Sequence, residues 1–346
     1  MNTPSLETRI KAEARRLGFV LCGITKPESV EGFQRFEAWL EKELHADMGY
    51  LARPDTLAKR QEPARLLANC KSVICVALPY PPAEGVANIA AYARVPDYHI
   101  VLREKLEQLV CFIEEILFKN IDTYIAVDSS PVLEKSLAVQ AGLGLIGRNT
   151  LLINETYGSS FFLGELFLNL ELQADAPLTG DYCGDCTICV DACPTGALLG
   201  DRTMDASRCL SYLTVENRGD IPPEIRWQMS GQVIGCDICQ LLCPMNQGLE
   251  SSESDLGLYQ VLPAKLDLLA CLAMDEESYK AMFGNTAVSR LKYKSFRRNV
   301  ILAMADSISQ ETLEILQSAI VHEADPICKD AMQWAIEVVR QRLSMP

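Results

Sequence analysis

The chain has 346 residues, 49% of them hydrophobic and 23% charged, which describes a globular protein large enough for two or three domains. Its formal net charge of −14 excludes wholesale binding to polyanions, because nucleic-acid affinity rests on Lys and Arg neutralising phosphates. No apolar run reaches the roughly eighteen residues of a membrane helix and the N-terminus lacks an apolar signal core, so a cytoplasmic protein with no membrane partner is expected.

Leu6, Ile10, Ala14 and Leu17 recur at helical spacing, and Gly18 closes that helix. Phe19 to Ile24 reads as a short strand, and Glu28 to Arg65 as a polar, helical stretch. Ser72 to Leu78 is an apolar strand ended by Pro79-Tyr-Pro-Pro82. A helix at Tyr98–Lys119 and a strand at Thr123–Val127 follow. That strand runs into Asp128-Ser-Ser-Pro131, where Ser130 is expected to cap a helix with Pro131 at its first position. Further strands fall at Thr150–Ile153 and Phe161–Leu170. Strands alternating with helices predict an α/β domain over residues 1–175. Beyond a linker at Gly248–Asp255, everything in 249–346 reads as helix: about 263–283, Phe296–Asp306, Gln310–His322 and Ile327–Leu343. The last helix opens on Asp325-Pro326, cap then proline. Short helices in such succession resemble HEAT-type repeats.

Gly142-Leu-Gly-Leu-Ile-Gly147 matches G-x-G-x-x-G, but a helix precedes it and a strand follows, the reverse of a dinucleotide site. A glycine-rich turn with close backbone approach is expected instead. The three histidines, His45, His99 and His322, are too few for a histidine metal centre. Asp97-Tyr-His99 begins like the D-x-H-x-x-G motif that ligates cobalt, but Leu102 stands where the final glycine belongs, so His99 reads as a capping or core residue.

Residues 176–248 carry the strongest signal. Cys183, Cys186, Cys189 and Cys193-Pro194 are spaced C-x2-C-x2-C-x3-C-P, the pattern of ferredoxins with cubane clusters. Cys236, Cys239 and Cys243-Pro244 repeat it one cysteine short, and the lone Cys209 makes up the deficit. In that spacing the fourth cysteine serves the other cluster. Counting therefore assigns Cys183, Cys186, Cys189 and Cys243 to one [4Fe–4S] cluster. Cys193, Cys209, Cys236 and Cys239 take the second. A zinc ribbon would need neither the third cysteine of each run nor the two Cys-Pro endings. The other six cysteines sit in apolar contexts and read as buried small hydrophobes.

Two features stay open at this level. Asp128 is either a turn aspartate or a general acid at the carboxyl end of a strand. The stretch Val288–Arg298 carries five basic residues (Arg290, Lys292, Lys294, Arg297 and Arg298) and no acidic one, a solvated helix face or a phosphate-binding patch.

Over nearly its full length the chain resembles the epoxyqueuosine reductases of tRNA queuosine synthesis. The resemblance rests on Met48-Gly-Tyr-Leu-Ala-Arg53, Asp97-Tyr-His99, Asp128-Ser-Ser-Pro-Val-Leu-Glu134 and Ala141-Gly-Leu-Gly-Leu-Ile-Gly-Arg-Asn149. It continues through Gly158-Ser-Ser-Phe-Phe-Leu-Gly-Glu165, both cysteine runs and Cys209-Leu-Ser-Tyr-Leu-Thr214, with Met245 where the family more often has tryptophan. It implies a cobalamin-binding α/β domain, a ferredoxin-like two-cluster domain and an all-α HEAT-like domain that helps hold tRNA. The implied reaction removes the epoxide oxygen from epoxyqueuosine at the wobble position. Asp128 would donate the proton, which needs a pKa raised by burial. Arg53, Asp128, Ile153, Gly164, Ser211, Cys236 and Asp237 would lie along cobalamin, and Glu216 and Arg218 would meet the tRNA. The implied partners are tRNA and a low-potential electron donor, with the chain a monomer. Two rivals share part of the pattern: a corrinoid reductive dehalogenase of small molecules, and a two-cluster electron carrier without cobalamin.

Overall fold

Eight consecutive buried residues, Ser72–Pro79, form the strand on which the N-terminal part is built. The computed structural model describes residues 4–85, 87–229, 231–247 and 259–345, so the expected linker at Gly248–Asp255 lies outside the described residues. The chain begins with α1 (Leu6–Arg16), β1 (Leu21–Thr25), α2 (Gly32–Glu41), α3 (Pro54–Gln61), β2 (Ser72–Pro79), α4 (Tyr98–Leu117) and β3 (Thr123–Ala126). Then come α5 (Glu134–Gln140), β4 (Leu145–Ile146), β5 (Leu152–Ile153) and β6 (Phe161–Leu168).

β1, β2, β6 and β3, in that order, form a four-stranded sheet in which every neighbour is antiparallel. The α/β alternation is therefore present without a parallel sheet. β2 reads as a continuous apolar run because both of its faces are covered, a property usually found in parallel sheets. α1 and α4 cover one face through Ile10, Ala14, Leu102, Leu106, Leu109 and Ile113. Phe33 of α2 and Leu137 and Ala138 of α5 pack on the other. Each buried Leu, Ile or Phe among these contributes about 1.5–3 kcal/mol.

Three local expectations are corrected. Ser130 and Pro131 do not start a helix: α5 begins at Glu134, the Ser130 hydroxyl pairs with that of Tyr124 at 3.1 Å, and Glu134 turns back on Asp128. The predicted helix at 263–283 is two, α10 (Leu268–Ala273) and α11 (Glu276–Phe283), because Asp275 caps the second. Cys111 is exposed, lying off the buried stripe of α4, and Cys22 and Cys70 are only half-buried.

The cysteine region contributes four short helices: α6 (Ile188–Asp191), α7 (Leu210–Val215), α8 (Pro223–Arg226) and α9 (Ile238–Leu241). After α10 and α11 the chain ends in α12 (Tyr293–Met304), α13 (Gln310–His322) and α14 (Pro326–Ser344). α14 packs on both α12 and α13, and Asp325 caps it ahead of Pro326 as expected. One hydrophobic core runs from Ala206, Leu210, Leu213 and Met229 into Phe283, Phe296, Val300, Leu316 and Met332. The segment after the first cysteine run is thus packed into the C-terminal helices. Among the described residues no helix is long and apolar enough to cross a membrane.

Candidate active site and cluster sites

The two C-x2-C runs fold alike, each ending in a one-turn helix, α6 or α9, and these two helices pack together. All fourteen cysteines are free thiols. Eight of them neighbour one another in the cysteine region, largely but not wholly along the two expected sets. Cys189 feels the charges of Cys183, Cys243 and Cys186, and Cys243 those of Cys183 and Cys186. Cys239 feels Cys236, Cys209 and Cys193, and Cys209 feels Cys193. Cys239 also feels Cys189, which sets the two groups side by side. Backbone N–H groups already point at sulfur, Arg148 to Cys183 and Ala197 to Cys193, each at 3.3 Å.

A cavity of about 750 Å³ opens where β2 and β3 end and β6 begins. Cys193, Cys209, Cys236 and Cys239, the whole second set, line it, together with Asp128, Glu134, Ser211 and Glu216. The first set does not. Two buried donors on its wall have no protein partner, Arg60 Nη1 and Asn149 Nδ2. The Arg60 guanidinium is held over the Phe36 ring at 5.5 Å.

Asp128 follows β3 with φ +55°, in the left-handed region that aspartate tolerates better than most residues. Its carboxylate accepts from His99 Nε2 at 3.0 Å, and His99 Nδ1 bonds Asp97 at 2.6 Å. Asp97 also caps α4, which places His99 in the first turn of that helix. His99 itself does not cap the helix, since Asp97 does; it is buried, as the core reading expected, and is also bonded to Asp128. Burial disfavours a charge on His99, yet its bonds to Asp128 and Asp97 prevail and raise its pKa above the ordinary value. Burial would likewise raise Asp128, but hydrogen bonds from His99 and Tyr98, together with the His99 charge, hold it below the ordinary value. The expected burial-raised aspartic acid is corrected: the proton of this pair rests on the imidazole.

Matches to known proteins agree with this geometry. Residues 60–129 match the family described as "Epoxyqueuosine reductase QueG, DUF1730", and residues 182–246 a "4Fe-4S double cluster binding domain". An epoxyqueuosine reductase of Cyclobacterium marinum is 40% identical over 87% of this chain and 97% of its own. The chain belongs to the epoxyqueuosine reductase family. The family's Escherichia coli member is 35% identical over 96% of this chain and 89% of its own. The Streptococcus thermophilus structure superposes with a TM-score of 0.85 at 31% identity, over 96% of this chain and 90% of that one. A family structure solved with an epoxyqueuosine-modified tRNA stem loop gives 0.84 at 28% identity, over 97% and 99%.

Within the epoxyqueuosine reductase fold, the candidate corrinoid contacts separate. Asp128, Ser211 and Cys236 line the cavity. Asp237 instead accepts the Ala91 N–H at 2.7 Å. Arg53 is exposed ahead of α3, and its carbonyl holds Thr56. Ile153 is buried in the β4–β5 hairpin, where its carbonyl lies so close to Gly144 that a Cβ there would clash at 2.2 Å. Gly164 sits mid-strand in β6 facing Leu102 and Leu106 of α4. The glycine-rich turn reaches the cavity through Ile146, and the segment after it through Asn149, Thr150 and Leu151.

The tRNA candidates separate too. Arg290 reaches Asp97 at 3.9 Å, and Arg218 donates to the Arg290 carbonyl, so both stand beside the Asp128 site. Lys292 is exposed, and Lys294 is exposed but paired with Asp325 at 3.0 Å. Arg297 and Arg298 are corrected: neither is offered to phosphate. Arg297 is spent on Glu323 and the Leu272 carbonyl. Arg298 is 1% exposed and bonded to Asn217, Gly219, Leu213 and Asn299. Arg60, Asn149 and Glu134 were missed as site residues: Glu134 and Asn149 close two of the strings that carry the resemblance, but only the fold shows that all three reach the cavity.

Proposed function

We propose that this chain reduces the epoxide of epoxyqueuosine at the tRNA wobble position to the cyclopentene diol of queuosine, using two [4Fe–4S] clusters and cobalamin. The observation that carries this reading is a cavity lined both by the second cysteine set and by Asp128, whose carboxylate is bonded to the buried His99. The donor sets fit the groups. Eight reduced thiols in two clusters of four suit two cubanes. A roomy, mostly apolar cavity with two unpartnered donors, on Arg60 and Asn149, suits a macrocycle fringed with hydrogen-bond acceptors.

When bound, the clusters and the corrinoid supply low-potential electrons and a strongly reducing cobalt centre. The chain's own residues handle the proton. Breaking both epoxide C–O bonds and forming the alkene releases the oxygen as water and consumes two electrons and two protons. Asp128, whose side chain keeps 56% of its surface open, receives a proton from His99 Nε2 and passes it to the leaving oxygen. Asp97 holds the imidazole in position through Nδ1. Arg218, Arg290 and Lys292 give an acidic protein its local purchase on phosphate beside the site. A reductive dehalogenase of small molecules has no use for that purchase.

The visible spectrum of anaerobically purified protein, mixed with cobalamin and desalted, tests the cofactor assignment. Cluster absorption together with a retained corrinoid band is expected. Cluster absorption with no retained corrinoid leaves only the electron-carrier reading.

A further inference from the structure

Asp128 sits on the cavity wall in a left-handed backbone conformation that few L side chains take, and a contact to its backbone would help to hold it there. Glu134 is placed to do so. Its Oε1 accepts the Asp128 backbone N–H at 2.5 Å, and its side chain borders the cavity. Behind it, Glu165 of β6 is fully buried, and neither carboxyl oxygen has a partner. A carboxylate in that position without partners stays protonated, so Glu165 contributes no charge.

We propose that Glu134 is a positioning residue for the proton transfer: its ionised carboxylate grips the Asp128 N–H and so keeps the Asp128 carboxylate against His99. The proposal rests on the reading of Asp128 and His99 as the proton-transferring pair. The titratable groups facing Glu134 come from five elements. They are Asp128 after β3, Tyr98 and His99 on α4, Lys135 on α5, Cys75 on β2 and Glu165 on β6. Lys135 is engaged elsewhere, donating to the Thr150 carbonyl at 2.6 Å. Burial, then the charge of Asp128, push Glu134 up to about 7. The sign follows: Glu134 is ionised and grips above that pH, and it becomes neutral and loosens as the pH falls through it.

The chain has three histidines, so NMR of cluster-loaded protein carrying ring-labelled histidine gives three signals to assign and titrate. Wild-type His99 is expected to titrate above the ordinary histidine range. In Glu134→Ala its pKa should drop as the Asp128 carboxylate leaves, with kcat falling about tenfold or more and KM for tRNA holding. Glu134→Gln is neutral at every pH, so it should behave as the protonated wild type does: His99 titrates lower than in the wild type, kcat is low throughout, and the acid limb of kcat near pH 7 disappears. An unshifted His99 in Glu134→Ala, or a surviving acid limb in Glu134→Gln, overturns the proposal. The titration needs no substrate, so it stands or falls apart from the assigned reaction.

Discussion

Replacing Arg298 by alanine removes a guanidinium that donates to the carbonyls of Leu213 (2.7 Å), Asn217 and Gly219 and to the side chains of Asn217 and Asn299. Burial lowers its pKa to about 10, even against the opposing charge of Asp220. Keeping it charged inside therefore costs about 3 kcal/mol, which the substitution recovers. Against that stand three stranded buried carbonyls at about 1–3 kcal/mol each and a cavity worth about 2 kcal/mol. The net is a loss of about 2–8 kcal/mol, large for a single substitution. Urea unfolding of cluster-loaded protein, followed by tryptophan fluorescence, should show a markedly lower midpoint for Arg298→Ala and an unchanged one for Lys294→Ala. An Arg298→Ala midpoint within error of wild type, with weaker tRNA binding at low salt, would refute this reasoning and return Arg298 to the nucleic-acid surface.

Cys209→Ser should halve the iron bound per chain and leave one cluster signal if Cys209 is, as proposed, the fourth ligand of the second cluster; full iron content would break the ligand assignment. Replacing Arg218 and Arg290 together by alanine should weaken tRNA binding and reduce its salt dependence by about one unit of slope for each phosphate no longer neutralised, read by affinity at several salt concentrations. Asp128→Asn should keep both cofactors yet lose most turnover. It should also lower the raised His99 pKa. The stability that wild-type His99 adds is full below the ordinary histidine pKa and lost as the pH rises through the raised one. In Asp128→Asn that loss should be smaller and complete at lower pH, and an unchanged pH–stability profile would count against the pairing.

The cysteine chemistry was legible because ligand spacing is local, and the sheet's central strand because two-sided burial leaves an unbroken apolar run. The sheet's direction was not, since antiparallel and parallel strands buried on both faces look alike in sequence. Arg298 could have been recognised: with Leu291, Ser295 and Leu302 it falls on one helical stripe, and all four are buried. Reading the basic stretch by composition hid that periodicity. The partnership of His99 with Asp128 spans 29 residues and depends on α4 and β3 meeting at the same end of the sheet, so no local pattern announces it. The Ser130-Pro131 signal failed because Glu134 and Ser130 had tertiary partners that outcompeted a capped helix start.

Mass spectrometry of nucleosides from epoxyqueuosine-bearing tRNA, incubated anaerobically with the cobalamin-loaded protein and a low-potential reductant, bears on the whole scheme. Loss of epoxyqueuosine matched by queuosine, abolished when Asp128 is replaced, is the predicted result. Unchanged epoxyqueuosine, from protein shown to hold both clusters and the corrinoid, would contradict it.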